Sequence, residues 1–175
     1  VDHEASIIVL PQQNTFYPEG QKQWISEAIR YAEGKGVLVI VPVWELSRDL
    51  AKQTFFPNRW MDGSKELTNL MVVAPSDKNG NPSMNSNYGA KELDLFAPGV
   101  NIYLAYMGDT YKTGSGVSLA SASVAGVAAL VFNSIRDGAT VYYFKYFVVE
   151  EDYSTVSFFG VSFVLSGLYQ GRQRA

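Results

Sequence analysis

The sequence predicts an α/β fold built on a doubly wound, mostly parallel sheet. Short apolar runs alternate with a helical pattern, and this alternation is typical of parallel strands with helices packed against them. The runs are β-branched and aliphatic throughout, as expected for strands buried on both faces. The predicted strands are residues 6–10, 37–41, 70–74, 93–96 and 100–106.

Two segments have the composition and periodicity of helices. Residues 118–132 are almost all small or aliphatic, which predicts a long buried helix. Residues 18–33 form an amphipathic pattern that Gly34 and Gly36 bring to an end. The apolar face predicted for that helix consists of Trp24, Ala28 and Tyr31, with Ile25, Ile29 and Ala32 alongside.

Composition limits the chemistry that the chain can perform. The 175 residues carry a net charge of −3 and no cysteine, which excludes disulfides, thiolate zinc sites and cysteine nucleophiles. No basic surface for nucleic acid and no apolar run long enough for a transmembrane helix is present in the sequence. The sequence contains one histidine, so a histidine base must be His3 or be supplied from outside these 175 residues. The carboxylates lack the spacing of metal ligands, so no metal or cofactor is expected; those considered are Asp49, Asp62, Asp77 and Asp109.

The main functional signal lies in residues 114–118 (GSGVS), directly before the long helix. A helix N-terminus favours negative charge, which suits a nucleophilic serine or a bound anion, so Ser118 is the candidate. The structural alternative is that Ser118 only caps the helix. A nucleotide-binding loop would need a third glycine or a lysine, and a nucleophile elbow would need a histidine after the serine. Residues 114–118 contain neither that third glycine nor that lysine, and no histidine follows Ser118 in the sequence.

Residues 115–130 (SGVSLASASVAGVAAL) resemble the subtilase nucleophile motif S-G-T-S-M-A-S-P-H-V-A-G-V-A-A-L. Residues 85–89 (NSNYG) are similar to the F-S-N-Y-G of that family, and residues 93–103 (LDLFAPGVNIY) are similar to its V-D-V-F-A-P-G-V-N-I-Y. The resemblance covers residues 1–132. It implies a subtilisin-like serine endopeptidase domain with Ser118 at the position of the nucleophile.

The resemblance also implies that part of the family's site is missing from these residues. Subtilases use Asp, His and Ser in that chain order, and the D-x-G strand and H-G-T-H helix are absent here. The chain, which starts at Val1 without a signal peptide pattern, is therefore expected to be a piece of a larger protein, with a sheet incomplete at its N-terminal side. His3 matches a surface position and is expected to be a solvated structural residue.

Two further sites of the family are degenerate in this register. The oxyanion asparagine of A-A-G-N falls at Glu45, with Val43 and Trp44 before it, unless the alignment is shifted by a residue or two. The substrate-binding S-x-G falls at Pro11, Gln12 and Gln13, where proline removes a backbone donor. An ionised glutamate offers no donor to an oxyanion. Asp94 and Asn87 are expected to be structural.

Residues 137–175 do not follow the family and are treated as a separate, aromatic tail after a domain of residues 1–136. The ranges 140–149 and 154–165 predict a β-hairpin. The tail is either a contact surface for a protein or a membrane, or a replaced C-terminus without an evolved role.

The expected function is peptide-bond hydrolysis by the parent domain, with peptides or proteins as substrates, whereas this chain alone is expected to be inactive. The first alternative is a non-catalytic pseudoprotease that binds or scaffolds, and the second is a nucleotide-binding α/β domain. The resemblance implies an extracellular, periplasmic or cell-surface location.

Overall fold

The computed structural model describes residues 1–14, 16–60, 66–136, 155–158 and 161–165. Strands and helices alternate along the first part of the chain, as the sequence predicts, and the fold is α/β. The elements are β1 (Ile7–Val9), α1 (Glu19–Gly34), β2 (Leu38–Pro42), β3 (Leu70–Ser76), β4 (Leu95–Pro98), β5 (Ile102–Tyr106), β6 (Thr110–Gly114), α2 (Val117–Arg136), β7 (Thr155–Phe158) and β8 (Val161–Leu165).

The main sheet has the strand order β1-β2-β3-β4-β8-β7. Strands β1 to β4 are parallel, whereas β8 runs antiparallel to both β4 and β7. The carboxyl ends of β1 to β4 therefore meet at one edge of the sheet, called the carboxyl edge below. Strand β1 stands at the end of the order, and no described strand pairs with its outer side.

Alternate residues of the central strands face two different hydrophobic clusters. In β2, Val39 and Val41 belong to the cluster that includes Ile29 and Ala32 of α1, whereas Ile40 belongs to the cluster of α2. Strand β3 alternates in the same way. Both faces of the sheet are thus covered, which explains why the strands are continuous apolar runs.

The predicted apolar face of α1 is correct for Ile29 and Ala32 and wrong for Trp24 and Tyr31. Ile29 and Ala32 are buried against the sheet, whereas Trp24 is 69% exposed and Tyr31 is half-exposed. The two stripes are neighbours on the helix and both are apolar, so periodicity alone could not choose between them.

Two other elements differ from the prediction. Strand β4 starts two residues later than predicted, and β5, predicted as the fifth strand, lies outside the main sheet. It pairs with β6 in an antiparallel hairpin, on which the rings of Tyr103 and Tyr111 stack with centroids 5.3 Å apart. The chain leaves the sheet at Asn101, whose φ of 56° turns the backbone after Gly99.

The tail contributes β7 and β8, which both fall within residues 154–165, predicted as a single strand. The other predicted strand of the hairpin, residues 140–149, lies outside the described residues. None of the helices in the described part of the chain combines the length and apolar character needed to cross a bilayer.

Candidate active site

Ser118 is the second residue of α2 and is exposed at the carboxyl edge. The N–H of Leu119 donates to the carbonyl of Gly116 at 3.1 Å, so Gly116 rather than Ser118 occupies the capping position. Among the hydrogen bonds of the described residues, none involves the Ser118 hydroxyl. The hydroxyl is therefore available at the positive end of a helix dipole, where developing negative charge is stabilised.

The loop before α2 is held closely against the end of β4. The N–H of Gly116 donates to the carbonyl of Gly99 at 2.9 Å. The Ser123 hydroxyl is shared between the carbonyl of Pro98, at 3.1 Å, and that of Leu119 in its own helix, at 3.0 Å. A Cβ atom on Gly99 would lie 2.8 Å from Cβ of Pro75 and 3.0 Å from the carbonyl oxygen of Gly116. Only glycine at position 99 permits this approach, which fixes the height of Ser118 above the sheet.

The predicted substrate and oxyanion positions lie at the same edge as Ser118. Residues 11–13 follow β1, residues 43–45 follow β2, and α2 begins next to the end of β4. Parallel strands bring these three segments together because their carboxyl ends coincide. Ligands of open α/β sheets bind in such a crevice.

Glu45 is half-buried, and its carboxylate accepts a short hydrogen bond from the Ser83 hydroxyl. The neighbouring N–H of Trp44 donates to Oε1 of Gln13 at 2.9 Å. The carboxylate has no proton to donate to an oxyanion, and the Trp44 N–H is already engaged. Val43 is fully buried in the cluster of α1, so its side chain cannot contact a ligand.

His3 lies at the opposite edge of the sheet, because it precedes β1. Nearby, the Tyr31 hydroxyl donates to Asp2 at 2.6 Å, and this carboxylate raises the pKa of Tyr31. Strands β2 and β3 have five and seven residues. At about 3.3 Å per residue, the two edges are roughly 17–23 Å apart. His3 is thus too distant to take a proton from Ser118.

The sequence predicts only a structural turn at Asn87, whereas the structure shows this residue at the centre of the loop that carries Glu45. Asn87 is fully buried, and its Oδ1 accepts the N–H of Leu46 at 3.1 Å and the N–H of Arg48 at 2.9 Å. Its own N–H donates to the carbonyl of Trp44 at 3.3 Å. The available signal in the sequence was an asparagine in a predicted turn, since its side chain can bond to nearby backbone groups. Nothing in the sequence pointed to Ser83.

Asp94 has a structural role, as the sequence predicts. Its Oδ2 accepts the N–H of Val72 at 2.8 Å, and its other oxygen forms an ion pair with the buried Arg59. Burial lowers the pKa of the Arg59 guanidinium, and the nearby Glu66 opposes that shift. No group of three or more histidine, cysteine, aspartate or glutamate residues that could hold a metal ion is found among the described residues.

The fold and the exposed serine define an α/β domain with a helix-borne candidate nucleophile. The sequence profile of the Subtilase family (Peptidase S8) matches residues 14–152. The chain therefore belongs to the subtilase family. It is 38% identical over 107 residues to M-protease of Shouchella clausii (strain KSM-K16), a match covering 61% of this chain and 25% of that protein.

Thermitase of Thermoactinomyces vulgaris is 31% identical over 140 residues, covering 80% of this chain and 45% of that protein. Among solved structures, the prenylagaramide maturation protease PagA is similar with a TM-score of 0.62 and 25% identity, over 79% of this chain and 48% of that one. The self-cleaved protease domain of PatA has the same TM-score and identity. The chain thus spans half or less of the length of these relatives.

Proposed function

We propose that this chain is the nucleophile-bearing part of a subtilisin-like serine endopeptidase domain, with Ser118 as the nucleophile. The observation that carries the proposal is the exposed Ser118 hydroxyl at the N-terminus of α2, beside the crevice of the carboxyl edge. In the reaction, the hydroxyl oxygen bonds to the scissile carbonyl carbon and its proton passes to a base, which gives it to the amine that leaves when the C–N bond breaks. Water then hydrolyses the acyl-serine ester. Peptides and proteins are the proposed substrates of the complete domain.

We further propose that residues 1–175 alone do not hydrolyse peptide bonds. Their single histidine lies at the far edge of the sheet, and loss of the histidine base costs on the order of 10⁶ in kcat, a figure measured in a subtilisin. Glu45 at the oxyanion position adds to this loss. Removing the oxyanion amide costs roughly 10²–10³, again a figure from a subtilisin.

The proposal is tested by incubating the chain with casein and, separately, with a fluorophosphonate probe. We expect no hydrolysis above the level of the Ser118→Ala variant and no labelling at Ser118. Hydrolysis or labelling that disappears in Ser118→Ala would contradict the proposed inactivity and identify Ser118 as a working nucleophile. Hydrolysis that persists in that variant would contradict its role.

A second candidate function is a non-catalytic binding or scaffold module. It is favoured by the hydrogen bonds from Ser83 to Glu45 and from Trp44 to Gln13, which engage the groups of the predicted oxyanion loop. The gene sequence upstream of Val1 separates the two candidates. An intact D-x-G strand and H-G-T-H helix there favour a peptidase, and their absence favours a pseudoprotease.

The family resemblance also supports a location outside the cytoplasm, in the medium, the periplasm or the cell surface. Fractionation of cells that express the complete gene product tests this location. Recovery in the cytoplasmic fraction alone would contradict it.

A further inference from the structure

A tight turn, residues 77–81 (DKNGN), follows β3 and contains the one Asn-Gly pair of the sequence, Asn79-Gly80. The N–H of Gly80 donates to the carbonyl of Asp77 at 3.1 Å, and the N–H of Asp77 donates to the carbonyl of Asn81 at 2.8 Å. Gly80 has a φ of 82°, which glycine adopts without strain. The turn is therefore closed by backbone hydrogen bonds around a position that favours glycine.

The Asp77 carboxylate holds the two asparagines of this turn. Its Oδ1 accepts the N–H of Asn79 at 2.8 Å and the N–H of Asn81 at 2.9 Å, and its Oδ2 accepts the Asn81 side chain at 3.1 Å. The hydrogen bond from the Asn81 side chain is the main cause that lowers the pKa of Asp77. The Asn79 side chain, in contrast, is exposed and has no hydrogen bond among the described residues.

The same turn places Ser83 beside Glu45. Ser76 and Pro82 form an antiparallel bridge across the base of the turn, and the N–H of Ser83 donates to a carbonyl of β3 at 2.9 Å. The Ser83 hydroxyl then donates to the Glu45 carboxylate. A change in the length of the backbone within residues 77–81 would therefore alter the position of Ser83.

We propose that Asn79 is a site of spontaneous deamidation and that Asp77 controls the rate of this modification. The backbone nitrogen of Gly80 bonds to Cγ of Asn79, and the Cγ–Nδ2 bond breaks as ammonia leaves with the proton of the Gly80 N–H. Water then opens the resulting succinimide at either of its carbonyl carbons. The products are an aspartate at position 79 and its isoaspartyl isomer, whose backbone is longer by one methylene.

Two features of the turn set the rate of this reaction. Glycine has no Cβ that would hinder closure of the succinimide ring. Gly80 is buried, however, and its N–H is engaged with Asp77, so the turn must open before the nitrogen can reach Cγ. The Asp77 carboxylate stabilises the closed turn. Its loss should raise the rate by about two- to tenfold, the effect of one hydrogen bond of ordinary strength.

The experiment is incubation of the full chain at mildly alkaline pH, followed by proteolytic digestion and mass spectrometry of the peptides. We expect Asn79 to show the mass change of an amide-to-acid conversion sooner than Asn85, an exposed asparagine followed by serine. Asp77→Ala should speed the conversion at Asn79 by the factor given above. The matched control is Asp49→Ala, which removes a carboxylate that accepts the N–H of Ala51 in another turn and should leave the rate at Asn79 unchanged.

¹H–¹⁵N NMR of the modified chain tests whether the change reaches Ser83. The backbone amide signal of Ser83 should shift, whereas the signals of α2 should not. Conversion at Asn79 no faster than at Asn85 would overturn the inference, as would equal rates in Asp77→Ala and the wild type. An unchanged Ser83 signal would overturn the link between the turn and the candidate site. None of these measurements depends on peptide hydrolysis, so their failure would leave the proposed function as it stands.

Discussion

At the scale of single residues, the buried Asn87 amide organises the loop that carries Glu45. Its carbonyl oxygen accepts two backbone N–H groups of that loop, and its backbone binds Trp44. Residues 44–48 form no helix or strand of their own, so this side chain supplies the partners that regular structure would provide. Asn87 is thus a structural determinant of the candidate site.

We expect Asn87→Ala to lower the free energy of unfolding by about 1–3 kcal/mol, because two backbone donors lose their acceptor. Urea denaturation measures this change. The control is Asn85→Ala, a neighbouring exposed asparagine, which should change stability by less than about 0.5 kcal/mol. Similar stabilities for the two variants would show that Asn87 does not hold the loop.

Residue chemistry also explains which parts of the site were predictable. The position of Ser118 was predicted because a glycine-containing loop followed by a run of small residues leaves a recognisable local pattern. The bond from Ser83 to Glu45 joins residues far apart in the chain, and the bridge from Gln13 to Trp44 does the same. Such contacts depend on where the strands end, which no local pattern encodes.

At the scale of elements, α2 is positioned by its contact with the end of β4. The backbone of Gly116 and the hydroxyl of Ser123 both donate to carbonyls of residues 98–99. Gly99 lies between Pro75 and Ala120, in a space that leaves no room for a methyl group. The first turn of α2, and Ser118 with it, depends on this packing.

Gly99→Ala is expected to reduce stability by about 1–3 kcal/mol, because overpacking forces the loop away from β4. Thermal unfolding followed by circular dichroism measures the effect. Gly126→Ala is the matched control within α2, where an added Cβ meets nothing within 4 Å. It should raise stability by about 0.5–1 kcal/mol through helix propensity. A Gly99→Ala variant as stable as the wild type would show that the close contact at Gly99 does not position α2 against the end of β4.

The positions of the helices and strands along the chain were predicted better than which of their faces are buried. The strands β1 to β4 and both helices follow from apolar runs and periodicity. The orientation of α1 was missed because two adjacent stripes are equally apolar. Strand β5 was predicted, but its pairing was not. Strand β6 was missed because it is almost wholly exposed and contains no apolar run.

At the scale of the whole molecule, the sheet is covered on both faces of its parallel part, and β1 and β7 are the edge strands in the described order. Strand β1 pairs only with β2 among the described strands, and Val9 is 37% exposed there. Unpaired backbone groups at an edge favour pairing with another chain. The fold therefore combines a well-packed interior with a side that favours association.

We expect the chain of residues 1–175 to self-associate with rising concentration, and Val9→Lys to shift it towards the monomer mass of 19.3 kDa. Lysine at an edge strand opposes strand pairing. Light scattering after size-exclusion chromatography measures the mass. Leu130→Lys places the same charge on the exposed surface of α2 and should leave association unchanged. Equal masses for wild type and Val9→Lys would rule out β1 as the contact.

The segment after β1 limits how a peptide can add to it. The N–H of Leu10 already donates to Ile40 and that of Asn14 to Phe56, so both ends of the segment are occupied. Between them, Pro11 has no N–H to offer to an added strand. A peptide that lies along this segment therefore meets few free backbone donors, and its side chains have to supply much of its affinity.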